Sequence, residues 1–360
     1  MKATVCRPTE LGPAEVGLWR EFQVGLGLDN PFLAPEFALT VGEHDRRARV
    51  GVVEDGHHII GFLPFEIGAF RTARTLGEGY SNVQAFVADP RAEWTLPQVV
   101  HACGLDLFAF SHLVAAPRPV GSSSAVRDTA SLIIDLSGGF DRYAAATRAR
   151  QPKFIKAIER KRRRLERENP DLRFEFARHD PGAVRQLLAW KSAHYRRTGR
   201  RDLLARPEVR DVVEALSETS SPGLRGCVST LRVGDRLLAV DVSLGSSGVY
   251  AGWLSSFDIG AASDSPGAVR TWYVIEAATH AGVRYIDMGP GDEAYKQKLS
   301  TGSVRRVEGW VGRPALGTWM HRASHGPVDV GRRFILAHPG LRRLSHDALN
   351  GVGRIRERVG

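Results

Sequence analysis

Residues 226–255 read GCVSTLRVGDRLLAVDVSLGSSGVYAGWLS, and the fold turns on how this stretch is parsed. Apolar runs at 226–233, 236–244 and 249–255 are separated by Gly234-Asp235 and by Gly245-Ser246-Ser247-Gly248, both turn-forming, so the segment predicts three strands in an antiparallel meander. Upstream, 172–178 alternates with period two around Phe174 and Phe176 and predicts a strand. Asp180-Pro181 marks a helix start, because Asp caps free amides and Pro fits a first turn; a helix to 196 and a second over 207–216 follow. Downstream, Ser265-Pro266-Gly267 opens a helix that Gly282 ends. One more strand is expected at 283–288. Gly289-Pro290-Gly291-Asp292 then punctuates before a short helix over 293–299. The succession is strand, helix, helix, three strands, helix, strand, helix.

Further out the pattern is looser. A helix is expected over 13–25, a strand pair over 49–65 about a turn at Asp55-Gly56, strands at 105–113 and 130–136, and a helix or loop over 94–103. Residues 139–168 read as helical apart from Gln151-Pro152, with Phe154, Ile158 and Leu165 on one face. Gly121-Ser122-Ser123-Ser124 reads as a loop, and patterning fades after Gly312.

Composition excludes several classes. With 360 residues, 42% hydrophobic and 25% charged, the chain is globular and long enough for about two domains. No 18-residue uncharged apolar window occurs, and Glu10 and Glu15 interrupt the N-terminus where a signal peptide needs an apolar run, so a cytoplasmic protein without a transmembrane segment is expected. Cys6, Cys103 and Cys227 are odd in number and far apart, which argues against a disulfide framework and a metal site. The formal charge is +10. Most of it lies in 148–167, where ten basic residues face only Glu159 and Glu166, a net of +8. Charge runs are usually solvated helix faces; this one would also suit an acidic substrate, membrane headgroups or tRNA. No zinc finger or RNP-type aromatic motif occurs, so DNA is not an expected partner.

The succession over 172–300 resembles the GNAT N-acyltransferase fold. The residues Ser265-Pro266-Gly267, Ile275-Glu276-Ala277-Ala278, Gly282, Tyr285-Ile286-Asp287-Met288-Gly289-Pro290-Gly291-Asp292-Glu293 and Tyr295-Lys296 resemble the CelD-type acetyltransferase family linked to bacterial cellulose production. That similarity covers about 140–311. The first half is similar in architecture to the degenerate first unit of two-unit FemABX-like proteins. The expected class is therefore α/β (α+β), as two tandem GNAT-like units, each a mixed, mainly antiparallel sheet flanked by helices: 1–137, then 138–312 including the basic connecting helix 148–167, with 313–360 as an Arg-rich extension.

The resemblance implies an acetyl-CoA or other acyl-CoA co-substrate lying where the fourth and fifth strands of the second unit splay, attacked directly by an amine. Ser265, Gly267, Ala268 and Arg270 would then hold the pyrophosphate, since a helix N-terminus offers free amides and the positive end of its dipole. Ser-Pro-Gly is also an ordinary turn, and the stretch departs from the usual GNAT phosphate loop. Tyr295 would protonate the departing thiolate, or else simply pack on the sheet; Lys296 would meet a phosphate or water. Asp241, in an apolar strand, and Asp287, at a strand end, are the candidate partners of the acceptor. Solvation of Asp241 beside Ser243 and turn-capping by Asp287 are the bland alternatives, and His194 reads as a surface histidine. The leading expectation is acyl transfer to an amine, or a hydroxyl, of a small metabolite or sugar, in exopolysaccharide or cellulose metabolism. A FemABX-like aminoacyl-tRNA-dependent enzyme and a catalytically silent binding protein of the same fold are the alternatives.

Overall fold

The computed structural model describes residues 1–114, 124–291, 293–315 and 318. Chain order opens with β1 (Lys2–Cys6), α1 (Pro13–Gly25), α2 (Pro35–His44), β2 (Ala48–Asp55), β3 (His58–Ile67), β4 (Thr72–Thr75), β5 (Val87–Ala88), α3 (Leu96–Ala102) and β6 (Leu107–Val114). It continues with β7 (Ser124–Asp135), α4 (Phe140–Arg150), α5 (Pro152–Glu168), β8 (Leu172–Arg178), α6 (Pro181–Thr198) and α7 (Pro207–Glu218). Last come β9 (Arg225–Val233), β10 (Arg236–Gly245), β11 (Val249–Phe257), α8 (Pro266–His280), β12 (Tyr285–Asp287), α9 (Ala294–Leu299) and β13 (Gly302–Gly312). The expected meander is β9-β10-β11. The strand expected at 283–288 is shorter, because Met288 N turns from β11 and donates to Leu132 O at 2.9 Å. Residues 121–123 of the expected loop, and the 313–360 extension apart from 313–315 and 318, lie outside the described residues.

The strands form one sheet in the order β1-β2-β3-β4-β6-β13-β7-β12-β11-β10-β9-β8, with β5 paired to β3. Its two wings arise from the same succession. The second has a strand, two helices, three strands, a helix and a strand; the first has the same order with its third central strand split into β4 and β5, and in each the last helix crosses between parallel neighbours: α3 between β4 and β6, α8 between β11 and β12. Between the wings, β7 and β13 pair antiparallel from Gly302↔Ile133 to Val311↔Ser124. β7, which follows β6 in the chain, pairs with β12 of the other wing, and β13, which follows β12, pairs with β6. The wings thus exchange their last strands, and the sheet runs unbroken across residue 137.

Local chemistry accounts for the elements around the second wing. Asp180 caps α6 by accepting from Ala183 N at 2.8 Å, Pro181 fits its first turn, and Gly199 closes it at φ +66°, a left-handed geometry that favours glycine. Val240, Val242 and Leu244 of β10 pack towards α6 and α7 in a core shared with Trp19, Phe37 and Phe62 of the first wing. The opposite face of the sheet receives Trp272, Ile275 and Ala278 of α8 together with Ile155 and Ile158 of α5. Helices α6 and α8 therefore cover opposite faces.

The basic helix α5 lies along α8. Its buried stripe is Ile155, Ile158 and Leu165; Phe154, expected there, is only partly buried, with Lys298 Nζ 4.9 Å from its ring centre. Three of its cations are tied to the α8 region: Lys161 Nζ to Ser265 Oγ at 2.5 Å, Arg162 to Glu276 at 2.8 Å, and Arg164 to Asp264. Lys153, Lys156, Arg160 and Arg163 recur every three or four residues on the exposed side and form no ion pair with a described residue.

Candidate active site

Pairing between β11 and β12 stops at Ala251↔Asp287. Beyond it the strands part, and the gap opens into a cavity of about 350 Å³ that passes through the sheet from the α8 face to the α6 face. Arg270, Thr271 and Asp241 line the first end; Lys191, Tyr195, Arg200 and Arg201 line the second. The first wing supplies a wall of its own. Asn82 Nδ2 donates to Gly252 O at 2.7 Å, and Trp253 Nε1 donates to Tyr80 O at 2.7 Å. Gly289 closes the seam at φ +71°, where an added Cβ would stand 2.8 Å from Asn82 Nδ2. Positive φ and close approach both require glycine there.

Asp241 and Arg270, read separately as acceptor partner and phosphate ligand, are each other's counterion: Arg270 Nη1 lies 2.6 Å from Asp241 Oδ1 with both side chains largely buried. The other carboxylate oxygen accepts from Tyr250 OH at 2.8 Å and Ser243 Oγ at 2.5 Å. Burial, reinforced by the Asp241 charge, holds the Tyr250 phenol well above its ordinary pKa, so it donates. Asp241 is thus buried rather than solvated. Arg270 also reaches Thr271 Oγ1 at 3.0 Å, while its Nε is buried without a partner among the described residues.

Tyr295 lies near the start of α9, with 43% of its surface exposed. Its hydroxyl has no hydrogen-bond partner among the described residues. Desolvation of the phenol pushes its pKa up to about 12, against the lowering influence of Arg270 and with Glu293 and Asp241 adding to the rise. It is therefore protonated at neutral pH. Lys296, next in the chain, turns inward and holds the preceding loop, donating to Pro290 O at 2.6 Å and pairing with Glu293 at 3.2 Å.

Asp287 lies outside the cavity lining. Its carboxylate accepts from Asn30 Nδ2 at 3.0 Å, Ser131 Oγ at 2.5 Å and Gly289 N at 2.9 Å, and faces Arg306 at 3.5 Å. It ties together β7, β12, β13 and the segment before α2. Capping of the turn before Gly289 is part of that role.

The α8 N-terminus carries no side-chain cap: Ser265 sits in the left-handed region (φ 51°, ψ 51°) with its Oγ turned to Lys161. Ala268 N donates to Ser265 O at 3.0 Å, and the Gly267 Cα faces the Phe257 ring. These residues sit beside α5 and outside the cavity lining. His194 is exposed on α6, and burial with the nearby Arg197 lowers its pKa.

Three cations of the lining were not among the site residues expected from sequence: Lys191, Arg200 and Arg201. Lys191 lies four residues after Leu187 and three after Leu188, so the one available signal was a lysine on the buried stripe of α6. Its Nζ donates to Ser255 O at 3.2 Å and lies 5.7 Å from the Tyr195 ring centre. Desolvation lowers its pKa. Among the described residues no cluster of His, Cys, Asp and Glu is arranged to hold a metal ion, and no helix is long and apolar enough to cross a membrane.

Residues 152–297 match the model of the acetyltransferase (GNAT) domain family, a span that takes in the splayed β11–β12 junction, α8 and the Tyr295 turn. No curated protein matches the chain. Among solved structures, the chain is similar to the C-terminal domain of a protein provisionally assigned as a lysylphosphatidylglycerol synthetase from Agrobacterium fabrum, with 13% identity over 84% of this chain and 92% of that one, at a TM-score of 0.53. A conserved protein of unknown function from Bacteroides thetaiotaomicron is similar at 11% identity, 82% and 97% coverage, and a TM-score of 0.51. A tandem GNAT protein from the clavulanic acid biosynthesis pathway aligns at 12% identity, 87% and 99% coverage, and a TM-score of 0.47. At these identities the likeness is one of fold.

Proposed function

We propose that the second wing transfers an acetyl or other acyl group from acyl-CoA to an amine of a small acceptor. The observation that carries this reading is the Tyr295 phenol: protonated, without a hydrogen-bond partner among the described residues, and lining a cavity that pierces the sheet between β11 and β12. Acyl-CoA supplies a thioester as the activated acyl group. The uncapped α8 N-terminus with Lys161 beside it would hold the donor's phosphates, as free amides, helix dipole and ammonium favour an anion together. As the nitrogen–carbonyl bond forms and the carbon–sulfur bond breaks, Tyr295 would give its Oη proton to the leaving sulfur, and the proton that the acylated nitrogen loses, passed through solvent in the cavity, restores the phenol. The Asp241–Arg270 pair, braced by Tyr250 and Ser243, fixes the wall opposite. The two carboxylates among the described lining residues each face a cation, Asp241 with Arg270 and Glu293 with Lys296, so on this reading the acceptor enters as the free amine.

The test is release of free thiol from acetyl-CoA across a panel of small amines and amino sugars, with wild type and Tyr295→Phe. Removing a general acid lowers turnover about 10²- to 10⁴-fold while acetyl-CoA affinity stays within about twofold. Equal turnover removes Tyr295 from the mechanism. A second reading, in which the donor is aminoacyl-tRNA, is favoured by the exposed unpaired stripe Lys153, Lys156, Arg160 and Arg163 on α5. It predicts transfer that depends on charged tRNA and weakens steeply with salt. Binding of acetyl-CoA with no turnover for any amine or hydroxyl would favour a silent binding domain, and the connection to exopolysaccharide or cellulose would then rest on its binding partners.

A further inference from the structure

We propose that the α6 end of the cavity is a binding subsite for the anionic group, a carboxylate or a phosphate monoester, of the acceptor, formed by Lys191, Arg200 and Arg201. Assigning the anion to an acceptor rests on the acyl-transfer reading above; the anion site itself rests on the cavity wall alone. Among the described residues, five cations line the cavity, Lys191, Arg200, Arg201, Arg270 and Lys296, against two carboxylates, Asp241 and Glu293. The carboxylates are taken by Arg270 and Lys296. The three remaining cations all lie at the α6 end, and none forms an ion pair with a described residue. Asp202, in the same turn, does not neutralise them: it accepts from Ser192 Oγ and from Leu204 N at 3.1 Å, and faces Arg196 at 3.7 Å. Lys191 is half-buried, with a backbone carbonyl, Ser255 O, as its one hydrogen-bond acceptor among the described residues.

Three like charges lining one end of a cavity, Lys191 half-buried and Arg200 and Arg201 exposed at its mouth, repel one another, an arrangement that an incoming anion relieves. Two adjacent arginines offer planar forks matched to the paired oxygens of a carboxylate or phosphate, and a lysine adds a point charge. Position separates this site from the donor's phosphates. The α8 N-terminus and Lys161 lie on the other face of the sheet, so each end of the cavity has its own cations, and an amine anchored by its anion at α6 would present its nitrogen towards the gap between β11 and β12.

The test uses the full chain and two probes, inorganic phosphate and acetate, followed by ³¹P and ¹H saturation-transfer NMR with and without saturating acetyl-CoA. Binding of at least one probe is expected, weakened at least tenfold in Arg200→Gln/Arg201→Gln, unchanged in the exposed control Arg142→Gln/Arg185→Gln, and insensitive to acetyl-CoA. The stronger probe identifies the anion. No binding of either probe, equal binding to the double variant, or displacement by acetyl-CoA overturns the subsite. If acetyl-CoA itself does not bind while the probe behaves as expected, the subsite stands and the donor reading falls.

Discussion

The two wings share a succession of elements, yet their parallel junctions are built differently: that of the second wing opens into the cavity, and that of the first is bridged by its own chain. In the second wing, β11 runs unbroken from Val249 to Phe257 and parts from β12 after Ala251. In the first, the equivalent strand is split into β4 and β5, both paired to β3, and the chain between them makes an excursion over 76–86. That excursion seals its own junction: Gln84 N donates to His112 O, Val114 N donates to Gln84 O, and Gln84 Nε2 donates to Leu76 O. Its outer part then becomes the Tyr80–Asn82 wall of the other wing's cavity. The crossover helices differ in the same sense. The fifth residue of α8 is Arg270, buried against Asp241, whereas that of α3 is Val100, buried in an apolar core with Phe65 and Phe108. The α3 N-terminus is closed by a Thr95–Gln98 capping box; that of α8 has no side-chain cap. A duplicated fold has one wing specialised for access and the other for closure.

The largest effect expected from breaking this contrast follows from giving α8 the apolar character of α3. Arg270→Met leaves Asp241 charged and buried without its cation, and a loss of about 3–5 kcal/mol in unfolding free energy is expected by denaturant titration. Arg270→Met combined with Asp241→Asn should recover much of it; if the single variant is neutral, the pair is not what fixes the wall.

Next in size is the seam between the wings. Gly289→Ala forces a non-glycine residue to positive φ at about 1–2 kcal/mol and drives its Cβ into Asn82. A lowered melting temperature is expected, partly restored when Asn82→Ala removes the obstacle. The caps sharpen the comparison at smaller scale: Thr95→Ala should cost about 1 kcal/mol, and Ser265→Ala only a few tenths, since Ser265 caps nothing. The reverse order would mean that α8 depends on Ser265 in a way its hydrogen bonds do not show.

The smallest effect is a pH slope. Burial lowers the Lys191 pKa, so between that value and the unfolded value near 10.5 the unfolded state binds more protons than the folded one. Stability therefore rises with pH through that window. Lys191→Met should flatten this rise in alkaline melts and leave the protein no less stable at neutral pH.

Much of the second wing was legible because its punctuation is local. Gly234-Asp235, Gly245 to Gly248, Asp180-Pro181 and Gly289-Pro290 sit at real turns and caps, and apolar runs bounded by such residues give strands whatever packs on them. The strand exchange was not legible, since nothing local in β7 or β13 records that each pairs with the opposite wing. Helix α2 passed unnoticed because residues all round it are buried, Pro35, Phe37, Ala38, Val41 and Gly42 among them, which erases the amphipathic period. Of the candidate site residues, Tyr295, Asp241, Arg270 and Lys296 do line one cavity; the Asp241–Arg270 pairing, 29 positions apart in sequence, and the cations of α6 became visible only when β11 and β12 were placed beside them.

The central claim is that one wing of the two carries a donor site. A calorimetric titration of acetyl-CoA into the wild-type chain and into Thr271→Trp, whose indole would fill the cavity, tests it most directly. The account predicts saturable binding of one acetyl-CoA per chain, abolished by Thr271→Trp without loss of the folded state. No binding, two molecules per chain, or binding that survives the blocked cavity would contradict it.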